Sequence, residues 1–374
     1  MNARKFAISR RHCLSGMSVV ELMVSVLISL LIMAGVVQVF LNSKTTFLTQ
    51  EDMSYIQHNA RYAMSMLSRD LQNAGYWGCA GNTTNAALVA RTENTTDINR
   101  LMGLNPATGY LEPLQPITGY ATGFPSSFTT WTISTKDGNR TPESFIVRSA
   151  AGVSATLESH IDTNLLVKSN HSFSTGDLVA IVAEDCRRMG VIKMAEILEN
   201  STMLKYSSAS ICGTTIKPPR DQSIRCKTAC NCDSPSGAVE VYGVGSQVMP
   251  YNALGYFIGE SLSLPGQPSL QRIVYKDGAL TREELALGVE DLQVIYGVDT
   301  DNDGAPDTYV PPSTFTSAQW SNWSRVRSVQ VSLVFRSLEP SLPTTTNQTY
   351  LNKNYQDKFM RQLITTTVRL RNTI

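Results

Sequence analysis

The chain has 374 residues, of which 42% are hydrophobic and 17% charged, and its formal net charge at pH 7 is +1. This length suffices for one large core or two smaller ones, and the composition excludes both an intrinsically disordered chain and a membrane protein with many spans. The near-neutral charge also excludes a strongly basic nucleic-acid binder, so we expect no nucleic-acid partner.

The N-terminus combines a basic leader with a long apolar run. Residues 1–16 contain four Lys or Arg side chains and no acidic one, and residues 17–41 contain a single ionisable side chain, Glu21. As a helix, the second segment would be about 37 Å long, which is enough to cross a bilayer. A carboxylate so close to the start of a membrane helix is costly unless it has a partner, and an ordinary signal anchor does not explain it.

The residues around Gly16 resemble a known processing signal. The sequence Gly-Met-Ser-Val-Val-Glu-Leu from Gly16, followed by the apolar run, is similar to the class III signal of type IV prepilins. The resemblance implies that a prepilin peptidase cleaves after Gly16, that the new N-terminal residue Met17 is methylated, and that Glu21 is the assembly glutamate. Such mature chains usually begin with Phe, and this one would begin with Met. Glu21 would then face the α-amino group of a neighbouring helix in a medium of low dielectric.

The helix is predicted to continue beyond the membrane, with residues 42–78 as its amphipathic half. No proline interrupts this segment, and the first glycine after position 42 is Gly75, which suits a helix stop. Apolar residues recur on one face at spacings of three and four: Ile56, Ala60, Ala63, Leu67 and Leu71. We therefore expect residues 17–41 to form the transmembrane and assembly half, and residues 42–78 to pack on a globular head.

Residues 61–81 narrow the resemblance to one group of proteins. They contain the motif R-D-L-x-x-A-G-Y-x-G-C, from Arg69 to Cys79, which resembles the corresponding segment of PilW-type minor pilins of the type IV pilus. The size of the chain agrees, because major pilins are usually less than half as long. The J-type minor pseudopilins of type II secretion share the leader and the helix and remain an alternative. A membrane-anchored binding protein or enzyme is a second alternative.

Residues 79–374 are predicted to form a β-rich globular head. Alternating apolar residues at 328–335 and 364–370 indicate strands with one buried face, and an inserted β subdomain is expected at about 151–205. The expected fold class is α+β: a long N-terminal pilin helix, membrane-spanning in its first half, packed on a mainly antiparallel head that contains disulfides.

Six cysteines remain once the leader, which contains Cys13, is removed. An even number in an exported head predicts up to three disulfides, and fifteen pairings are open. The spacing of the last three also resembles half of a zinc site, but no second cysteine pair or histidines accompany it, so disulfides are favoured. The candidates are Cys79, Cys186, Cys212, Cys226, Cys230 and Cys232.

An acidic loop is the one candidate metal site. Asp299, Asp301, Asp303 and Asp307 surround Gly304, and alternate carboxylates before a glycine are typical of the first half of a calcium loop. The position of the bidentate glutamate of an EF-hand is occupied by Val310. A calcium site and a solvated acidic turn are therefore both open, and no cofactor is expected to be required.

The sequence contains none of the common catalytic motifs, so we expect no enzymatic activity. The resemblance implies a minor pilin that helps to initiate the type IV pilus, is incorporated into it, and supports twitching motility and adhesion. Its implied partners are the prepilin peptidase, the other minor pilins, the major pilin, the inner-membrane assembly platform and a tip adhesin. The implied location is the inner membrane, as a single-pass protein with a periplasmic head, and then the pilus on the cell surface.

Overall fold

The structure is a computed structural model that describes residues 18–80, 115–122, 124, 141–161, 164–168, 171–186, 189–198, 202–206, 242–315 and 323–373. It consists of one long N-terminal helix and a mainly antiparallel β head, as the sequence predicted. The candidate residues Gly16 and Met17 lie outside the described residues.

Helix α1 extends over Val19–Asn73, which is about 82 Å at 1.5 Å per residue. Ser18 caps its start, since its side chain accepts a hydrogen bond from the backbone N–H of Val20 at 3.3 Å. The helix stops before Gly75, whose φ of +74° is readily adopted only by glycine. The N–H of Gly75 donates to the carbonyl of Arg148 at 2.9 Å, so the end of the helix is fixed to the head.

The strands of the head fall into four groups, and every pair of strands that the structure describes is antiparallel. The strands are β1 Ile117–Tyr120, β2 Ser144–Ser149, β3 Ala155–Ile161, β4 Asn164–Val167, β5 Leu178–Val182, β6 Met189–Leu198, β7 Met203–Tyr206, β8 Gln247–Pro250, β9 Asn252–Glu260, β10 Pro268–Lys276, β11 Ala279–Leu287, β12 Val289–Val298, β13 Thr308–Val310, β14 Val326–Arg336, β15 Thr346–Tyr350, β16 Lys353–Asp357 and β17 Arg361–Arg369. One sheet has the order β1-β2-β9-β10-β11, a second has the order β13-β12-β14-β17, and β15-β16 form a hairpin. The remaining strands close a barrel in the order β3-β4-β7-β6-β5-β8.

The second half of α1 packs against both open sheets. Its apolar stripe is buried from Ile56 to Leu71, in one core with inward-facing residues of the two sheets. Arg61, Ser65 and Arg69, on other faces of the helix, are exposed. The helix therefore covers one side of this core, and the spacing of its apolar residues determines which helix face is buried.

The barrel is inserted between two neighbouring strands of the first sheet. Strands β2 and β9 pair directly, with Ser149 opposite Asn252, and the six strands of the barrel, β3 to β8, all lie between these two residues in the chain. The barrel has its own core, whose members include Leu157, Ile181 and Leu204. It leaves the sheet beside Arg148 and Gly75, at the end of the head opposite the entry of α1.

Candidate functional site

The first half of α1 is an uncovered apolar surface. Every residue from Val19 to Leu41 is exposed, and this part of the helix is long and apolar enough to cross a membrane. Such a surface is not stable in water and needs a bilayer or other apolar helices around it. The helix could therefore serve as a membrane anchor.

Glu21 lies in the first turn of this helix and is exposed. Its backbone carbonyl accepts a hydrogen bond from the hydroxyl of Ser25 at 2.7 Å. A carboxylate in the first turn is favoured by the helix dipole, but this offsets only part of the cost of placing it in an apolar medium. The carboxylate of Glu21 is thus available to a positive group of another chain.

A polar network joins the far end of α1 to the first sheet, and the sequence analysis did not predict it. The carboxylate of Asp70 accepts a hydrogen bond from the hydroxyl of Tyr256 and pairs with Arg272, whose Nη1 is 2.9 Å from Oδ2. The Nε of Arg272 also donates to Glu283 at 3.0 Å. We call these four residues the Asp70 network. The side chains of Asp70 and Arg272 are only 7% and 15% exposed, so this is a largely buried ion pair.

The surroundings of the Asp70 network keep Tyr256 protonated and Arg272 charged. Burial raises the pKa of Tyr256 well above its ordinary value, and the nearby carboxylate of Asp70 raises it further, so Tyr256 remains a donor. Burial would lower the pKa of Arg272, but its hydrogen bonds and charge interactions with Glu283 and Tyr256 together outweigh that effect, and the pKa is raised. Asp70 lies three residues after Leu67 and four before Ala74, on the apolar stripe itself. A charge at a stripe position was the signal that could have predicted the network.

A disulfide joins the end of the helix to the barrel. Cys79, in the short 3-10 turn Gly78–Ala80, is bonded to Cys186, which follows β5, and their Cα atoms are 5.3 Å apart. Beside it, the ring of Trp77 stacks on that of Tyr251 with 6.1 Å between centroids. The other four candidate cysteines, Cys212, Cys226, Cys230 and Cys232, lie outside the described residues.

The acidic loop connects β12 to β13, and its first carboxylate is buried. Asp299 accepts hydrogen bonds from the backbone N–H groups of Asn302 and Gly304 at 2.6 and 3.0 Å, and from Nε of Arg327 at 2.9 Å. Burial raises the pKa of Asp299, but the hydrogen bonds from Arg327 and the backbone lower it more, so the net shift is downward. The charge of Asp299 is therefore already compensated by this chain.

Three of the four predicted loop carboxylates come together. Ligand atoms of Asp299, Asp301 and Asp307 all lie within 4.8 Å of one another, which is about the widest separation of two oxygens around one calcium ion. Asp303 is not in this group, and its Oδ1 instead accepts a hydrogen bond from the N–H of Ala305 at 2.7 Å. Calcium binding by the group of three stays a prediction.

Comparison with known proteins finds a family model that matches the C-terminal part of the chain. Residues 255–372 match the family model of the Type IV Pilus-assembly protein W, PilW. This segment covers less than half of the chain and extends from within β9 to three residues beyond β17. No curated protein and no solved structure matches the chain. The match supports the PilW family and a role with the type IV pilus assembly machinery.

Proposed function

We propose that this protein is a minor pilin of the PilW type, which helps to initiate the type IV pilus and becomes part of it. The observation that carries the proposal is the division of α1. Its first half is an exposed apolar rod with a single carboxylate, Glu21, and its second half is buried in a head whose residues 255–372 match PilW. A helix that served only as a membrane anchor would not need a carboxylate such as Glu21 in the first turn of its membrane-spanning segment.

In this proposal the protein is first inserted in the inner membrane, before pilus assembly. The basic leader stays on the cytoplasmic side, as the excess of Lys and Arg favours, and the head lies in the periplasm. The prepilin peptidase removes residues 1–16 and Met17 is methylated. The assembly platform then transfers the helix from lipid to a bundle of pilin helices that includes the other minor pilins and the major pilin, and a tip adhesin joins at the surface. The protein has no enzymatic role in this sequence of events.

Glu21 supplies the counter-charge for a neighbouring subunit. In the bundle, the α-amino group of one chain and the carboxylate of Glu21 in another leave water together, and each relieves the cost of burying the other. The two groups can meet only after cleavage, because residues 1–16 otherwise precede Met17. Cleavage and assembly are thus linked through one ion pair.

The test separates processing from assembly with three single variants. Gly16→Val should leave the leader attached, which intact-mass spectrometry of the membrane protein detects. Glu21→Ala should be cleaved and inserted normally but be depleted at least tenfold from sheared pili, since one charged partner of a buried pair is lost. Glu51→Ala is the matched control, because Glu51 is an exposed carboxylate of the same helix beyond the apolar half.

Normal incorporation of the Glu21→Ala variant would contradict the proposed role of this residue. Equal depletion of the Glu51→Ala variant would show that any lost carboxylate on α1 has this effect. A deletion strain distinguishes the pilus from type II secretion: we expect loss of surface pili and of twitching motility with secretion unchanged. Loss of secretion with normal pili would assign the chain to the J-type pseudopilins instead.

A further inference from the structure

The Asp70 network lies on a single row of residues across the first sheet. Tyr256 on β9 is directly opposite Arg272 on β10, and Arg272 is directly opposite Glu283 on β11. On the other side, Tyr256 is opposite Phe145 of β2, and their rings stack with 5.0 Å between centroids. The row is therefore held in place by neighbours on four strands, and Asp70 is the helical residue that docks on it.

Stability alone does not account for this arrangement. A buried ion pair is often no more stabilising than apolar residues of similar volume, because both charges must leave water. The rest of the stripe, from Ile56 to Leu67, is apolar. Apolar burial is not directional, whereas a hydrogen bond fixes distance and angle. What the network adds at this interface is a defined orientation.

Among the described residues, the other polar contacts between the helix and the head lie at the end of the helix. The side-chain amide of Asn372 donates to the carbonyls of Gln72 and Ala74 at 3.1 and 3.2 Å, and Gly75 donates to Arg148. These contacts hold the last turn as a pivot. The Asp70 side chain, which projects from the side of the helix onto the row, then restricts rotation and tilt about that pivot.

We infer that the Asp70 network sets the direction in which α1 leaves the head. Direction matters because the helix is a long lever: about 39 Å of helix separates Asp70 from Lys44, at 1.5 Å per residue. A change of about 10° at the network would move Lys44 by about 7 Å over that length. Asp70, Tyr256 and Arg272 are thus positioning residues for the whole exposed half of α1.

The test measures direction and stability separately in the full-length protein in detergent micelles. Spin labels are attached to a genetically encoded ketone amino acid at two exposed positions, Lys44 on the helix and Ala279 on β11, so the native cysteines are untouched. The distribution of distances between the labels is measured by pulsed electron paramagnetic resonance. We expect one narrow distribution for the native residues.

The decisive variant replaces the network with apolar residues: Asp70→Leu, Tyr256→Phe and Arg272→Met together. It should melt within a few degrees of the parent protein, while its distance distribution shifts or broadens by several ångströms. Tyr256→Phe alone keeps the ion pair and should broaden the distribution less. The control is Glu196→Gln with Lys205→Met, which removes an exposed ion pair of the barrel and should change neither measurement.

Two results would overturn the inference. An apolar variant that melts normally and keeps the narrow distribution would show that packing alone sets the direction. An apolar variant that loses its cooperative melt would show that the network mainly supplies stability. Neither result bears on the proposed role in the pilus, because the measurement uses the isolated chain.

Discussion

The disulfide between Cys79 and Cys186 gives the sharpest test of how the head is held together. We expect replacement of both cysteines by serine to destabilise the protein without changing its fold. The bond closes a loop with a sequence separation of 107 residues. In the chain-entropy model, a loop of this size corresponds to about 4.7 kcal/mol of restriction on the unfolded chain, and measured values are typically about 2–4 kcal/mol.

The assay is thermal unfolding of the full-length protein in detergent, followed by far-ultraviolet circular dichroism. A loss of about 2–4 kcal/mol lowers the Tm of a domain of about 150–250 residues by about 4–16 °C, and the head, which is larger, should show a shift in the lower part of this range. Cys186 has a φ of +59°, and serine carries the same strain there, so the backbone contributes little to the difference between the two proteins. Packing of Trp77 on Tyr251 is also retained in the variant.

A reductant distinguishes the effect of this bond from that of any disulfide formed by the other candidate cysteines. It should lower the Tm of the parent protein at least as much as the double serine replacement does. In the serine variant it can act only through the remaining cysteines. An unchanged Tm in the serine variant would refute the reasoning, since the disulfide would then add no constraint beyond the packing around it.

Three further predictions concern the core, the pH dependence and the acidic loop. Leu67→Ala removes a fully buried side chain of the helix stripe and should cost about 2–5 kcal/mol in chemical unfolding, because a cavity remains. Hydrogen bonds from Arg361 lower the pKa of Asp357, so this carboxylate stabilises the head at neutral pH, and its contribution is lost as the pH falls through the lowered pKa. Asp357→Asn should therefore lower the Tm at pH 7 and make the decline of the Tm below pH 4 less steep. If the acidic loop binds calcium, the Tm should be higher in millimolar calcium than in a chelator, and the double variant Asp301→Asn, Asp307→Asn should abolish this difference. An equal Tm in calcium and in chelator would show that the loop is a hydrogen-bonded acidic turn without a calcium site.

The helix and the class of the fold were predictable because their signals are local. The spacing of Ile56, Ala60, Ala63 and Leu67 identified the buried face, and the structure buries these residues. Gly75 marked the stop because a positive φ is needed there. The fold class and the disulfide-containing head were confirmed. The methylation and cleavage signals at the N-terminus stay predictions.

The sequence indicated an inserted β subdomain at about 151–205, but its closure into a barrel was not predictable, because closure depends on pairing between distant segments. Strand β8 completes it by pairing with β3, where Ala155 lies opposite Val248. The alternation of apolar residues in each strand indicates a half-buried strand but does not specify its partner. Ala155 and Val248 are separated in the sequence by most of the insertion, and no local sequence pattern indicates a contact between such distant residues.

The acidic loop illustrates the same limit at the scale of single side chains. The spacing of the aspartates predicted one group of four, but Asp303 binds the backbone of Ala305 within its own turn. Asp299 accepts a hydrogen bond from Arg327, which lies on β14, 28 positions later in the chain. A pattern of acidic residues does not reveal a cation that arrives from another strand, and this cation changes the net charge of the loop.

The extent of the family match agrees with a division of the head into two functional parts. The matched residues 255–372 contain Tyr256, Arg272 and Glu283, together with most of the strands that receive α1. The barrel lies outside the match, has its own core, and leaves and re-enters the sheet between two paired residues. The pairing of β2 with β9 does not depend on what the insertion contains. However, strands β5, β6 and β8 of the barrel share a second core with β2, β9 and β10, and Cys186 bonds the barrel to Cys79. Substitutions on the barrel surface, away from this shared core and from Cys186, can therefore alter the distal surface without altering the part of the head that holds the helix.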